Sequence, residues 1–285
     1  MRRNRLRFML PHGFFTLAWT EWGPEDGAPV LCVHGLTRNG RDFDALAAAL
    51  AGTGRRVLCP DLPGRGGSDF LPDPALYVPP TYVAALSHLL ARLDGPVDWV
   101  GTSLGGICGM AVAATPGNPI RRLVLNDIGA HVPKDSVARI GDYLGQATEF
   151  ADLPALEAHL RRVHAPFGAL TDAEWHHLAE TSARAAPGGG VALHYDPAIA
   201  LPFRGAPAQD MDLSPLWERV TAPVLLLRGA DSDLLLPETA RAMAARPGVR
   251  LVEIPGCGHA PALMEAGQIG LVAAFLRGTG LGAGG

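Results

Sequence analysis

The sequence contains little charge, few cysteines and no long apolar run. Charged residues make up 18% of the 285 positions, and 24 basic against 28 acidic residues leave a formal net charge of −4. A protein that binds nucleic acid through its phosphates needs a basic face, so this balance argues against that class of partner. A membrane-spanning helix needs about 18 or more consecutive apolar residues, and the sequence has no such run. We therefore expect neither a nucleic-acid nor a membrane partner.

Cysteine is scarce as well, with four residues spread along the chain: Cys32, Cys59, Cys108 and Cys257. Neither these cysteines nor the ten histidines show the spacing of metal ligands, so we expect no metal site. Three of the cysteines fall in apolar runs, which favours free, buried thiols in a reducing compartment. Residues 1–7 carry the positive charge of an export signal, but the Pro-His-Gly at 11–13 interrupts the adjoining stretch and no small-residue cleavage site is present. We expect the chain to remain in the cytoplasm.

Apolar residues, glycine and proline are abundant. Apolar residues make up 48% of the sequence, and a chain of this length buries roughly 70–75% of the surface that it exposes when unfolded. A large core is therefore available without disulfides or metals. The 35 glycines and 25 prolines are scattered, which predicts many turns rather than a linker.

Short apolar runs alternate with segments of helical period. The runs at residues 30–33, 56–59, 97–100, 123–125, 224–227 and 249–254 predict strands, and a hairpin is expected before them at 5–10 and 14–21. Segments at 43–51, 82–93, 104–114, 238–245 and 262–276 predict helices. Continuous apolar strands that alternate with helices are typical of an α/β fold, in which helices cover both faces of a parallel sheet.

The alternation stops between residues 130 and 220. Helices are predicted there at 134–144, 153–163 and 171–184, and the third opens with the capping-box pattern Thr171-Asp172-Ala173-Glu174. Because this segment is inserted between two sheet strands, we expect it to form a helical cap. The sequence thus predicts one domain over residues 1–285, with a core at about 1–129 and 221–285 and a cap at about 130–220.

The strongest chemical signal is Gly101-Thr102-Ser103-Leu104-Gly105, which lies between a predicted strand and a predicted helix. A tight turn there lifts the serine hydroxyl above the sheet, and glycines are needed where side chains would collide in the turn. The helix after the turn directs its first amides and its positive dipole end at the same place. Ser103 is therefore the predicted nucleophile.

A second signal, Val33-His34-Gly35-Leu36, comes after an early predicted strand. A carbonyl under attack develops negative charge on its oxygen, and backbone N–H groups aimed in advance stabilise that charge. Leu36 and Leu104 are placed to supply two such groups, so we predict that they form the oxyanion hole. For the side chain of His34 we favour a role in packing or in fixing the turn.

A serine nucleophile also needs a base and a carboxylate that orients the base. His259 lies in the glycine-rich turn after the last predicted strand and is the predicted base. For the acid we prefer Asp233, in the turn after the strand at 224–227. Asp231 in the same turn is an alternative, and Asp127 after the strand at 123–125 is a third.

These motifs make the sequence similar to the α/β-hydrolase superfamily over nearly its whole length. The resembling stretches are Val33-His34-Gly35, Asp61-Leu62-Pro63-Gly64-Arg65-Gly66-Gly67-Ser68, Gly101-Thr102-Ser103-Leu104-Gly105-Gly106, Ser232-Asp233 and Gly258-His259-Ala260. The resemblance implies a sheet of about eight mostly parallel strands, a Ser–Asp–His triad and no cofactor. Leu36 departs from the glycine run that lipases carry after the same histidine and glycine. The absence of an aspartate at position 103 separates the chain from haloalkane dehalogenases and epoxide hydrolases.

The predicted function is hydrolysis of a small or medium carboxylic ester, with a small-molecule ester as the partner. Enzymes that cleave carbon–carbon bonds, lactones or thioesters use the same triad and remain alternatives, as does a ligand receptor with impaired catalysis. The sequence does not predict the oligomeric state.

Candidate pocket residues are weaker signals. Tyr143 and Trp175 in the cap are candidates for contact with substrate, although helical spacing makes core packing the default interpretation for either residue. Arg38, Asn39 and Arg41 come after the oxyanion motif and either contact a carboxylate on the substrate or form a solvated turn.

Overall fold

The computed structural model, which describes residues 1–144, 148–203 and 207–278, is built on an eight-stranded sheet. Its strands are β1 (Arg2–Leu10), β2 (Gly13–Trp22), β3 (Pro29–Val33), β4 (Arg56–Pro60), β5 (Val97–Thr102), β6 (Ile120–Asn126), β7 (Val224–Gly229) and β8 (Val249–Ile254). They lie in the order β1-β2-β4-β3-β5-β6-β7-β8. The pairs β1–β2 and β2–β4 are antiparallel, and every later pair is parallel. The predicted α/β class and mostly parallel sheet are confirmed.

Helices cover both faces of this sheet. They are α1 (Asp44–Ala51), α2 (Pro79–Leu90), α3 (Leu104–Ala113), α4 (Lys134–Tyr143), α5 (Leu153–Val163), α6 (Asp172–Ser182), α7 (Ser214–Trp217), α8 (Pro237–Ala244) and α9 (Ala266–Arg277). Short 3-10 helices span Gly40–Phe43, Pro74–Leu76, Ala165–Phe167 and Pro197–Phe203. Among the described residues, no helix is long and apolar enough to cross a bilayer.

The central strand β3 is apolar at every position because both of its faces are buried. Leu31 and Val33 of β3 join a cluster with side chains of α2, α3 and α8, whereas Val30 and Cys32 join a second cluster with α1 and α9. Each such side chain contributes about 1.5–3 kcal/mol when it is fully buried. All four cysteines are buried, as the sequence predicts.

The last helix begins later than predicted, at Ala266 rather than at residue 262. Leu263 has a φ of 58°, in the left-handed region that a right-handed helix cannot contain. Its amide donates to the side chain of Gln268 at 2.8 Å, so that side chain ties the turn to the helix.

The chain between β6 and β7 forms an insert of helices and short strands. At its base His131–Val132 pairs with Met211–Asp212 in an antiparallel ladder, which brings the start and the end of the insert together. Farther along, Glu149–Phe150, Val191–Leu193 and Ala183–Ala185 form a three-stranded sheet. The sequence predicts the helices α4, α5 and α6 but neither small sheet, because strands of two or three residues leave no periodic pattern.

Candidate active site

Ser103 occupies the turn between β5 and α3 with a φ of 51°. This left-handed conformation is rare for a residue with a side chain and costs free energy, so the surrounding structure must enforce it. The amide of Ser103 donates to the carbonyl of Asn126 at 3.0 Å, and its own carbonyl accepts from the amides of Gly106 and Ile107. The turn is thereby fixed, and Ser103 lines a cavity at the end of the sheet.

Two glycines allow the backbone to close around this turn. A Cβ on Gly101 would lie 2.4 Å from the carbonyl oxygen of Gly105. A Cβ on Gly105 would lie 1.9 Å from the carbonyl oxygen of Val33, at the end of β3. The start of α3 can therefore approach β3 closely only because residue 105 has no side chain.

Gly105→Ala should lower the free energy of unfolding by about 3 kcal/mol, because the new methyl group meets main chain that cannot rotate away. Gly270→Ala is the matched control: Gly270 also lies inside a helix, and a Cβ there meets nothing within 4 Å. That substitution should raise stability by about 0.5–1 kcal/mol. Urea unfolding of both variants measures the difference, and equal effects would contradict the packing argument.

His259 lies in the loop between β8 and α9, and its Nε2 is 2.9 Å from Oγ of Ser103. The loop is fixed on both sides of the histidine by the insert. The amide of Gly258 donates to the carbonyl of Pro166 at 2.8 Å, and the amide of Ala262 donates to the carbonyl of Phe167 at 3.3 Å. Backbone bonds thus hold the imidazole ring over the serine.

The carboxylate that meets His259 belongs to Asp127, directly after β6. Its Oδ2 lies 2.7 Å from Nδ1 of His259 and also accepts from the hydroxyl of Ser232 at 2.6 Å, while its Oδ1 accepts from the amide of Gly229 at 2.8 Å. Asp127 is completely buried, and its φ is 54°. Because a carboxylate only accepts, Nδ1 of His259 carries the proton and Nε2 is free to accept from Ser103.

The prediction that Asp233 orients His259 is therefore corrected. Its carboxylate binds Arg139 of α4 through two hydrogen bonds of 2.5 and 2.9 Å, and 53% of its side chain is exposed. The hydroxyl of Ser136, in the same helix, donates to its carbonyl. Asp233 therefore joins the loop after β7 to the insert rather than to the histidine. Asp231, the second candidate, is also exposed.

The sequence offers only a faint signal that Asp127 is the carboxylate bound to His259. Asp127 comes after a predicted strand, as Asp231 and Asp233 do, so position alone does not separate the three. Ser232, which sequence reasoning assigned no role, separates them in the structure because it donates to Asp127 from the turn in which an acid was expected.

Local structure fixes the directions of the backbone amides of Leu36 and Leu104. The carbonyl of Gly35 accepts from Nδ1 of His34 at 2.7 Å and from the amide of Arg38 at 3.3 Å. Since a trans peptide directs its N–H opposite to its carbonyl, these bonds set the direction of the Leu36 amide. Leu104 is the first residue of α3, where an amide has no acceptor within the helix.

His34 acts through structure, as the sequence predicts. Nε2 of its ring accepts from the amide of Leu62 at 2.9 Å while Nδ1 donates to Gly35, and the side chain is 1% exposed. Burial lowers the pKa of His34 to about 3, and the positive charges of Arg65 and Arg38 act in the same direction. The ring is therefore neutral at pH 7 and fixes the loop that contains Gly35 and Leu36.

This pKa has a consequence for stability. In the unfolded chain His34 binds a proton below about pH 6.5, whereas in the folded protein it stays neutral down to about pH 3. The contribution of neutral His34 to the free energy of unfolding is therefore complete above pH 6.5 and is lost as the pH falls. The free energy of unfolding should therefore fall by about 2 kcal/mol from pH 7 to pH 5 because of this residue. Urea unfolding at pH 7 and pH 5 should show that the free energy of unfolding changes by about 2 kcal/mol less in His34→Gln than in the wild type. An equal change in both proteins would contradict the low pKa of His34.

The insert supplies one wall of the cavity that contains Ser103 and His259. Its lining residues there are Arg139, Ile140, Val163, His164, Phe167 and Leu178. Trp175 instead packs in the core, where the guanidinium of Arg161 lies 5.7 Å from its ring, so the expectation of a substrate contact for Trp175 is corrected. The side chain of Tyr143 lies outside the described residues. Within the part of the chain that the structure describes, no cluster of His, Cys, Asp or Glu could hold a metal ion.

Comparison with known proteins identifies the family. The profile of the alpha/beta hydrolase family matches residues 30–269. The chain belongs to the alpha/beta hydrolase family. A 3-hydroxybutyrate-oligomer hydrolase from Cupriavidus necator is 43% identical over 279 residues, which cover 94% of this chain and 95% of that relative.

Solved structures agree with this alpha/beta hydrolase assignment. An alpha/beta hydrolase from Novosphingobium aromaticivorans superposes with a TM-score of 0.85 at 38% identity and covers 96% of this chain and 98% of its own. A protein from Rickettsia typhi superposes with a TM-score of 0.91 at 30% identity and covers 98% of this chain and all of its own. Both similarities include the inserted segment as well as the sheet.

Proposed function

We propose that this alpha/beta hydrolase is a serine hydrolase that cleaves a small or medium carboxylic ester through an acyl-enzyme intermediate. The observation that carries the proposal is the continuous series of hydrogen bonds from Ser103 through His259 to Asp127, at 2.9 and 2.7 Å. A hydroxyl, an imidazole and a buried carboxylate in that order are the groups that acyl transfer to serine requires.

In the first half of the reaction, Oγ of Ser103 attacks the ester carbonyl while its proton moves to Nε2 of His259. Asp127 holds the ring in the required tautomer and stabilises the imidazolium. The amides of Leu36 and Leu104 donate to the oxyanion, and a single such donor is worth on the order of 3–4 kcal/mol in the transition state. The C–O bond then breaks, and His259 passes its proton to the departing alcohol.

In the second half, water takes the place of the alcohol. His259 removes one of its protons as the oxygen attacks the acyl carbonyl, and the same two amides hold the second oxyanion. When the bond to Oγ breaks, His259 returns the proton to Ser103 and the carboxylic acid leaves. The enzyme ends as it began, with a neutral histidine.

We further propose that the insert, as a cap over about residues 130–220, selects the substrate. Its residues form a wall of the cavity beside Ser103, which favours a small ester over a bulk lipid surface. The substrate class that we favour is an ester of a hydroxy acid, supported by the 43% identity to the 3-hydroxybutyrate-oligomer hydrolase over nearly the whole of both chains. The four buried free thiols support a cytoplasmic location.

Covalent trapping tests the mechanism independently of the natural substrate. Diethyl p-nitrophenyl phosphate phosphorylates an activated serine and releases one equivalent of p-nitrophenol. We expect stoichiometric release, with mass spectrometry placing the diethylphosphoryl group on the peptide that contains Ser103. Labelling of another serine, or none at all, would contradict the proposal.

A substrate panel separates the ester from its rivals. The linear dimer of 3-hydroxybutyrate should be hydrolysed faster than a lactone, a thioester or a dienoate with a scissile carbon–carbon bond. Turnover of the dienoate with indifference to esters would favour carbon–carbon hydrolysis. Tight binding without any turnover would favour a receptor.

A further inference from the structure

Arg38 lies in the turn that carries the oxyanion loop, and its amide donates to the carbonyl of Gly35 at 3.3 Å. Its side chain is only 5% exposed and lines the same cavity as Ser103 and His259. The expectation of a solvated turn is therefore wrong for this residue. Asn39 is buried too, but neither it nor Arg41 lines this cavity: Asn39 caps the adjacent 3-10 helix, and Arg41 binds Asp44.

One edge of the Arg38 guanidinium binds a carboxylate, and another edge has unpaired N–H donors. Its Nε and Nη2 each donate to a carboxylate oxygen of Asp42 at 2.8 Å. Its Nη1 is buried and has no hydrogen-bond partner among the described residues. Arginine carries five N–H donors in a planar fork, so the pair with Asp42 leaves the Nη1 group and one proton of Nη2 available.

An unpaired, charged donor is costly in the interior, because it has given up water without gaining an acceptor. Asp42 fixes the orientation of the fork, so little rotational freedom would be lost when the unused edge binds a ligand. Two parallel N–H groups match the two oxygens of a carboxylate. The edge is therefore arranged for an acceptor from outside the protein.

The charges around Arg38 are compatible with an anion. Burial and the Arg38 guanidinium hold the pKa of His164 well below its ordinary value, and His34 is neutral as described above. Both neighbouring imidazoles are thus uncharged at pH 7. Asp42 is the carboxylate bound to Arg38, and the cavity is also lined by a second arginine, Arg139, whose guanidinium pairs with Asp233.

We infer that the unused edge of Arg38 binds a carboxylate on the substrate, so that the preferred substrate is an ester whose hydroxy-acid part ends in a free carboxylate. The inference rests on the proposed ester hydrolysis and adds the feature by which the ester is recognised. A linear dimer of 3-hydroxybutyrate, with its ester and its terminal carboxylate, has this chemistry.

The test compares that dimer with its terminal amide, which keeps the scissile ester and removes only the negative charge. A charged pair replaced by a neutral one changes binding about 10- to 100-fold, so the wild type should prefer the acid by that factor in kcat/KM. Arg38→Met should bring the ratio to about one, chiefly through KM for the acid. Arg38→Lys, which keeps the charge but not the fork, should give an intermediate ratio and serves if the methionine variant does not fold.

Arg41→Met is the matched control, because Arg41 lies in the same turn and pairs with an acid without lining the cavity. It should keep the wild-type preference. Equal use of acid and amide by the wild type, or a preference that survives in both Arg38 variants, would overturn the inference. A purely structural Arg38 would lower activity on both substrates together.

A binding measurement separates this inference from the proposed reaction. Calorimetric titration of the wild type with 3-hydroxybutyrate and with 3-hydroxybutyramide should show at least a tenfold preference for the anion, lost in Arg38→Met. Preserved anion binding without hydrolysis of any ester would reject the reaction and keep the carboxylate site. Hydrolysis of esters without anion preference would do the reverse.

Discussion

Asp127→Asn should lower kcat for hydrolysis of a short p-nitrophenyl ester by about four orders of magnitude at neutral pH. An amide at this position presents an N–H to the histidine or loses the charge that stabilises the imidazolium, and in a serine protease the same exchange has an effect of this size. The buried carboxylate also accepts from Gly229 and Ser232. Circular dichroism and urea unfolding should therefore accompany the kinetics.

Asp233→Asn is the matched control, since it makes the same chemical change in the neighbouring turn. Its partner Arg139 is 41% exposed, and an exposed ion pair contributes about 0–1 kcal/mol. Activity should stay within about threefold of the wild type, because a residue outside the hydrogen-bonded series does not enter the transition state. The reverse outcome, with Asp233→Asn inactive and Asp127→Asn active, would reject Asp127 as the acid.

Ser103→Ala should reduce turnover of the same ester by about five to six orders of magnitude, because no acyl-enzyme can form. The fold should survive, since alanine is smaller and the backbone bonds of the turn do not use the hydroxyl. Release of p-nitrophenol in the steady state measures the loss, and near-wild-type ellipticity shows that the protein is folded.

Ser87→Ala controls for the loss of a serine hydroxyl as such. Ser87 lies on α2, and its hydroxyl donates to the carbonyl of Val83 in the same helix. This variant should keep full activity and lose at most about 0.5 kcal/mol of stability. Retained turnover in Ser103→Ala would show that Ser103 is not the nucleophile and would reject the proposed mechanism.

The sheet could be predicted from the sequence because its signal is local. Residues 30–33 and 224–227 are apolar without interruption, and only a strand buried on both faces demands that pattern. The serine and the histidine were predictable for a related reason. Each lies in a glycine-rich turn that comes after a predicted strand, so the local sequence indicated both side chains.

Which carboxylate binds His259 could not be predicted locally, because it depends on contacts between distant parts of the chain. Asp127 and Asp233 both come after buried strands at the same edge of the sheet, and their immediate neighbours do not distinguish them. The structure does so through a left-handed φ at Asp127 and through Arg139, a residue of the insert that captures Asp233. The way the insert packs on the core determines which carboxylate remains available to His259. Helical periodicity does not predict that packing.

The burial of Arg38 was unpredictable for the same reason. A run of polar residues after a strand is typical of an exposed turn, and only the arrival of the insert makes it an interior wall. His164 and Phe167, which share the cavity with it, are more than a hundred residues away in the sequence. The wall of this cavity is therefore built from both the core and the insert.

The two backbone bonds from Pro166 and Phe167 to the loop of His259 have a consequence for engineering. Exchange of the insert between relatives is an obvious route to new substrates, yet here the transplanted piece would also change the position of His259, the proposed base. A chimera must carry the stretch around 164–168 and the loop at 257–262 from the same parent. Exchange of the insert alone would alter the proposed base as well as the wall of the cavity.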